Sequence, residues 1–165
     1  MYIQTDRLII RDIEEDDAYA FASYRDKEEV AKYQSWKHFT LKDAQKRIKY
    51  CIVHSFKGEV KDNTQLSIIY HDMMIGDLRI EVLSKTTITI GYTIDSAYWH
   101  QGFAREAVLG LLKYIKSHYE YTKVIAYIYK ANKRSRDLLL YLGFKKFDES
   151  FFYKDEGYML ELKDL

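Results

Sequence analysis

The stretch from Thr87 to His118 constrains this chain more than any other part of it. Thr87 to Ile94 reads as a β-branched strand and residues 95–97 as a linker, after which Tyr98-Trp99-His100-Gln101-Gly102-Phe103-Ala104-Arg105 opens a helix. In that helix Ala104, Val108, Leu111, Leu112, Ile115 and Tyr119 recur at the spacing of one buried face, while Arg105, Glu106, Lys113 and Lys116 fall outside it. The pattern predicts a strand that feeds a helix through a tight glycine turn.

Such a turn has a chemical use. The first turn of an α-helix leaves backbone N–H groups without intrahelical acceptors and carries the positive end of the macrodipole, so it can hold a phosphate or diphosphate. Gly102 has no Cβ to keep a phosphate oxygen away, Ala104 is nearly as small, and Arg105 can add a charge-assisted contact. Two familiar phosphate loops are excluded. No Gly-Lys-Ser/Thr ends a Walker loop, and Gly102 stands alone where a dinucleotide fingerprint needs three glycines.

What remains, Trp99-His100-Gln101-Gly102-Phe103-Ala104, resembles the acyl-CoA-binding segment of the GCN5-related N-acetyltransferase superfamily, Gln/Arg-x-x-Gly-x-Gly/Ala, with Trp99 at its first position. Ile90-Gly91-Tyr92 before it and Arg105-Glu106-Ala107 after it resemble the branch that acetylates the N-termini (alanine or serine) of ribosomal proteins. Thr5-Asp6-Arg7-Leu8-Ile9-Ile10-Arg11 resembles the Thr-x-Arg-Leu-x-Leu-Arg opening of the same branch. A second specific match is Asn132-x-x-Ser135 followed by a helix ending in Leu142-Gly143-Phe144. Local physics accounts for Asn132 as an N-cap and Gly143 as a helix stop, but not for both motifs occurring at this distance from each other.

Composition agrees and decides little alone. A chain of 165 residues is the size of one domain with a single well-covered core, and the whole of it is read as one N-acetyltransferase domain. With 26 basic and 25 acidic residues it lacks the electrostatic footprint of a nucleic-acid or anionic-membrane binder. Cys51 has no cysteine to pair with, no run of about twenty apolar residues is present, and no leader pattern opens the chain; a cytoplasmic protein is expected. The scattered histidines show no ligand spacing, so no metal site is expected.

In chain order, Thr5 to Arg11 reads as an opening strand, Glu14 to Tyr24 as a helix with acids in its first turn, and Lys27 to Tyr33 as a short helical piece. Trp36 and Phe39 then either fold back on the core or, in the case of Tyr33 and Trp36, line an acceptor entrance as the matching loop does in the family. Thr40 with Asp43 forms a capping box for a helix to about His54, with Leu41, Ala44, Ile48, Cys51 and Ile52 inward. Gln65 to Tyr70 and Met74 to Leu83 form a hairpin about His71-Asp72-Met73, and Lys123 to Tyr129 is a further strand. Phe144 to Phe152 and Gly157 to Leu162 close the chain about a charged turn at Lys154-Asp155-Glu156, and Phe151, Phe152 and Tyr153 are candidates for pairing across a homodimer.

The resemblance implies an α/β fold: a mixed, mostly antiparallel sheet of about seven strands flanked by about four helices, with one splayed parallel pair. It implies that acetyl-CoA lies in the splay, with the backbone of Tyr92, Thr93 and Ile94 pairing to its pantetheine arm. Residues Trp99, His100, Gln101, Gly102, Phe103, Ala104 and Arg105 would hold the diphosphate, Asn132 would touch the arm, and Ser135 would sit near the sulfur. An amine-bearing acceptor, a peptide N-terminus or a small molecule, would attack the thioester directly.

Proton handling departs from the family. The carboxylate that many members place before Ile-Gly-Tyr is Thr89 here, which can at most hold a water; Asp77 and Glu81 on the neighbouring strand read as solvated residues that could serve instead. The usual acid, a tyrosine four residues before Gly143, is Leu139, which leaves Ser135 as the hydroxyl donor, while Tyr141 reads as a packing residue. These absences keep two other functions open: a CoA-binding module with reduced catalysis, and a partner-binding α/β protein without activity.

Overall fold

The computed structural model describes residues 1–149 and 155–165. Its centre is a hairpin whose turn the residues themselves set. His71 and Asp72 both take positive φ, 47° and 61°, the two-residue geometry whose twist matches antiparallel strands, and they join β3 (Asn63–Tyr70) to β4 (Met73–Val82). A bulge lies between Ile68 and Ile69, opposite Gly76, where a Cβ would come within 2.4 Å of the Thr93 carbonyl on β5 (Thr87–Ile94). Around these strands lie β1 (Tyr2–Gln4), β2 (Ile9–Asp12), β6 (Lys123–Tyr129), β7 (Lys145–Glu149) and β8 (Asp155–Glu161).

Together the described residues form an eight-stranded sheet in the order β1-β2-β3-β4-β5-β6-β8-β7. Every neighbouring pair is antiparallel except β5 and β6. Alternation along the strands divides the core in two. On one face Ile88, Ile90, Val124 and Ala126 pack against Val108, Leu111, Leu112 and Ile115 of α4 (Phe103–His118) and Leu139 of α5 (Lys133–Tyr141). On the other, Ile69 and Met74 pack against Phe21 and Tyr24 of α1 (Ala18–Arg25) and Ala44, Ile48 and Cys51 of α3 (Leu41–Val53). Between α1 and α3 comes the single turn α2 (Glu28–Ala31).

The expected fold class holds, with one strand more than the sequence suggested. Thr5 to Arg11 is not one strand: the Thr5 amide donates to the Leu8 carbonyl at 2.9 Å, and the Leu8 amide to Thr5 Oγ1 at 3.0 Å, so the chain reverses there and residues 2–12 pair with themselves as β1 and β2. The helix expected from Glu14 begins as a short 3-10 turn at Glu15–Asp17. The Thr40–Asp43 capping box is formed, with reciprocal bonds of 3.2 and 2.9 Å. Ile52, expected inward, is 50 % exposed, while its neighbour Cys51 in the same last turn is buried against the sheet. Asp155 and Glu156 begin β8 instead of forming a turn, and the dimer candidates Phe151, Phe152 and Tyr153 lie outside the described residues.

The tight turn at Thr5 ties the amino-terminal strands to α4. Glu106 accepts from Thr5 Oγ1 at 2.6 Å and from the Arg7 amide and Nε, both at 2.7 Å. Arg7 in turn donates from Nη1 to the Gln101 carbonyl at 3.0 Å and lies over the Phe103 ring at 4.3 Å. Burial alone would raise the Glu106 pKa, but these bonds from Thr5 and Arg7 outweigh it and hold the carboxyl below its ordinary 4.5. A folded-state pKa that is depressed stabilises the fold above the unfolded value, and that stability is lost as pH falls through the folded one. Thermal unfolding between pH 3 and 7 is therefore expected to show Glu106→Gln destabilised at neutral pH, with the gap to the parent narrowing as the solution is acidified below about pH 4.5.

Asp77, expected to be solvated, is 1 % exposed. It accepts from the Tyr24 hydroxyl at 2.6 Å, from Arg25 Nη1 at 2.9 Å and from the Gln65 amide. The Arg25 guanidinium is enclosed by Trp36 at 3.7 Å, Phe39 at 4.6 Å and Phe21 at 4.8 Å. Removing one partner of such a pair leaves a buried charge alone. Asp77→Ala is expected to cost about 3–5 kcal/mol of unfolding free energy by urea titration, well above what deletion of an exposed carboxylate costs.

Candidate functional site

The site begins where two strands part. β5 and β6 are paired at Thr87 with Lys123, Ile88 with Val124 and Thr89 with Ile125, and no further. Beyond that point β5 stays on β4 through Ile94 with Gly76, while β6 follows β8 through Tyr129 with Asp155. The backbone of residues 90–94 thus faces a gap on the β6 side, with polar groups that no strand takes up. Tyr92, Thr93 and Ile94 line a cavity of about 340 Å³ there.

The loop after β5 is held in a shape that serves the same gap. Asp95 accepts from the Ala97 amide at 3.1 Å and opens a 3-10 turn, and the Trp99 indole donates back to the Ile94 carbonyl at 2.8 Å. His100 and Gly102 then take left-handed φ of 63° and 81°, which directs the chain into α4. A side chain at Gly102 would be strained by that backbone alone. Glu106 is the first amide to bond back into the helix, to the Gly102 carbonyl at 3.0 Å, so the amides of Phe103, Ala104 and Arg105 have no intrahelical acceptor. Arg7 holds this loop from outside through the Gln101 carbonyl, a contact the sequence did not announce beyond the Thr-x-Arg pattern.

On the far wall of the cavity stand Asn132, Arg134 and Ser135, at the start of α5. Asn132 Oδ1 accepts from the Ser135 amide at 3.2 Å as an N-cap. Gly143, at φ 89°, ends α5 as expected: its amide bonds to the Leu140 carbonyl and the Phe144 amide to that of Leu139, the Schellman pattern. The Tyr92 hydroxyl bridges the walls, donating to the Ser135 carbonyl at 3.3 Å, and burial pushes its pKa up to about 12, so it stays protonated. Cations ring the loop: Arg134 stacks on Trp99 at 4.6 Å and Arg105 on Tyr141 at 4.0 Å. Tyr141 is therefore no packing residue; it is 63 % exposed and carries Arg105 on its ring.

The structure brings Tyr92, Thr93, Ile94, Trp99, Ala104, Asn132 and Ser135 to one cavity, with His100, Gln101, Gly102, Phe103 and Arg105 in the adjoining loop and helix start. Tyr33 lines the same cavity from the α2 side. That side is tied to the loop by Lys27 to Asp95 at 2.5 Å and by the Ser96 hydroxyl to Glu29 at 2.7 Å. Trp36 is not among the lining residues; its indole donates to the Arg25 carbonyl at 2.9 Å, so the fold-back alternative describes it. Thr89 lies below the gap with Glu81 directly across from it on β4, and Leu139 is wholly buried. Asp77 has both oxygens engaged, which removes it as a proton acceptor.

Comparison with known proteins agrees with this geometry. The N-acetyltransferase p20 of Bacillus licheniformis is 30% identical over 149 residues, 87% of this chain and 82% of that protein. Among solved structures, an acetyltransferase of the GNAT family from Bacillus anthracis superposes with a TM-score of 0.84 at 21% identity over 99% of both chains. RimL, a ribosomal L7/L12 α-N-protein acetyltransferase solved in complex with coenzyme A, superposes with a TM-score of 0.83 at 14% identity over 98% of both. The model of the acetyltransferase (GNAT) domain matches residues 7–145, from the arginine that holds the Gly102 loop to the first residue of β7, and the chain belongs to that family.

Proposed function

We propose that residues 1–165 work as one cytoplasmic N-acetyltransferase domain that moves the acetyl group of acetyl-CoA directly to a primary amine in a ternary complex. One observation carries the reading: the parted end of β5, the unpaired amides that start α4 and the capped start of α5 meet at one cavity. The amides of Phe103, Ala104 and Arg105 take the diphosphate, with Arg105 and Arg134 adding charge. The free backbone of Tyr92 and Thr93 pairs with the amides of the pantetheine arm as an added strand would. Asn132 bounds the arm from the opposite wall.

In the reaction the amine nitrogen forms a bond to the thioester carbon, the carbonyl oxygen gains charge, and the C–S bond then breaks to release a thiolate. An unpaired amide of β5 stabilises the oxyanion. The Ser135 hydroxyl donates to the departing sulfur, which needs modest help because a thiol has a pKa near 8.5. Thr89 has no basicity of its own. It holds a water that relays the proton to Glu81, the partly exposed carboxylate across from it. An α-amino group, with a pKa near 8, asks least of so indirect a base, and this favours a peptide N-terminus over a lysine side chain.

Two measurements test this. Calorimetry is expected to show acetyl-CoA binding to the parent protein and at least about tenfold weaker binding, about 1.4 kcal/mol, to Gly102→Glu, which puts a carboxylate and a strained backbone where the diphosphate sits. No binding to the parent would leave the partner-binding reading, and binding without turnover of any amine would leave the reduced module. With acetyl-CoA saturating, kcat/KM for the acceptor is expected to rise with pH and level off near pH 8 for an α-amino acceptor; a rise continuing past pH 10 would point to a lysine-type amine.

A further inference from the structure

The face of the sheet that α1 and α3 cover reaches water beside the parting of β5 and β6, where Arg79 is exposed and Glu81, Thr89 and Gly91 are half-buried. Arg79 stands directly opposite Gly91, Glu81 opposite Thr89, and Thr89 opposite Ile125, so these side chains share that face. Within 4 Å a Cβ at Gly91 would meet only the Arg79 Cβ, at 3.7 Å. Access to the gap is thus open from this side, opposite to α4 and α5. Tyr127, two residues beyond Ile125 on the same face, is 52 % exposed and forms its aromatic border.

Positive charge at this edge exceeds what the protein neutralises. Arg47 of α3 donates from Nη2 to Asn63 Oδ1 at 2.7 Å and from Nε to Gln65 Oε1 at 3.3 Å. Arg79 Nε donates to the same Asn63 oxygen at 3.1 Å, while its Nη2 lies 2.8 Å from Glu81. Two guanidiniums therefore converge on one neutral amide oxygen. Among the described residues Glu81 is the one carboxylate in ion-pair distance of either.

The contrast with other arginines on this face is informative. Arg11 has Asp17, at 2.8 and 3.0 Å, and Arg25 has Asp77, at 2.9 Å. Arg47 is also partly withdrawn from water, and that burial, assisted by Arg79, pushes its pKa down, yet its partners are amides. A desolvated guanidinium without counter-charge lowers stability, so its place here fits an anion that arrives with a ligand.

We infer that the acceptor is a primary amine that also carries a carboxylate, seated with its nitrogen over Gly91 and its carboxylate on Arg79 and Arg47. This rests on the transferase reading above and adds the substrate class. Strands lie about 4.8 Å apart, so the step from β5 to the arginines on β4 and over β3 asks for an amine and carboxylate roughly 5–10 Å apart. An acidic side chain next to a peptide N-terminus meets that requirement, and so does a small ω-amino acid.

The test uses two isosteric pairs with the full chain and saturating acetyl-CoA: the peptides Ala-Glu-Ala-amide and Ala-Gln-Ala-amide, and 4-aminobutyrate with 4-aminobutyramide. In at least one pair the carboxylate member is expected to have kcat/KM at least about tenfold higher, mostly through KM, and the pair that shows it identifies the source. That ratio is expected to fall toward one in Arg47→Gln and in Arg79→Gln, and to recover in part in Arg47→Lys. Equal turnover within both pairs, or a preference that survives both glutamine variants, overturns this inference alone. Failure to acetylate any of the four probes overturns this inference, while the transferase reading fails only if acetyl-CoA binds and no other amine is turned over either.

Discussion

The parting of β5 from β6 after Thr89 is the constraint that the remainder of the molecule serves. Two adjacent parallel strands would gain by continuing to pair, and a strand edge left open in the interior forfeits hydrogen bonds. They separate, and each keeps its other neighbour. β4 holds β5 as far as Ile94, where Gly76 lets the Thr93 carbonyl come closer than any side chain would allow, and β8 holds β6 as far as Tyr129. The unpaired backbone of β5 faces the gap between them, and the starts of α4 and α5 stand at its two sides.

Arginines secure the surroundings of that gap in three different ways. Arg7 is a strut: fixed by Glu106, it grips the Gln101 carbonyl and keeps the Gly102 loop in its left-handed path. Arg25 is a core residue, its charge met by Asp77 and its faces covered by aromatic rings, and it anchors the loop that leads to Tyr33 through Trp36. Arg47 and Arg79 are poised at an open edge with less negative charge than they can bind. The difference among them is the counter-charge that the fold supplies, a sharper guide to role than burial.

Much of this was legible in the chain. The Thr40–Asp43 box, the His71-Asp72 turn, the Gly143 stop and the apolar stripe of α4 are local rules acting on neighbouring residues, and each is formed. What misled was the surroundings. Asp77 sits in a polar-looking strand and reads as solvated, but Tyr24, Arg25 and Gln65 reach it from other elements and bury it. Ile52 reads as inward by periodicity, yet in the last turn of α3 the covered face takes Cys51 and leaves Ile52 exposed. Thr5 to Arg11 alternates loosely like a strand, but the Thr5 hydroxyl takes the Leu8 amide and Glu106 takes Arg7, which together favour a turn.

The sequence by itself determined the helices, the hairpin, the glycine loop ahead of α4 and the Asn132–Ser135 cap, because each depends on spacings of a few residues that set backbone dihedrals and short-range hydrogen bonds. Only the tertiary structure decided that Thr89 faces Glu81, that Trp36 belongs to Arg25 and not to the cavity, and that Arg47 and Arg79 share Asn63. Those outcomes hang on strand register and on which helix covers which stretch of sheet. Register is fixed by side chains far apart in the chain competing for the same space and the same counter-charge, and no window of neighbouring residues contains that competition.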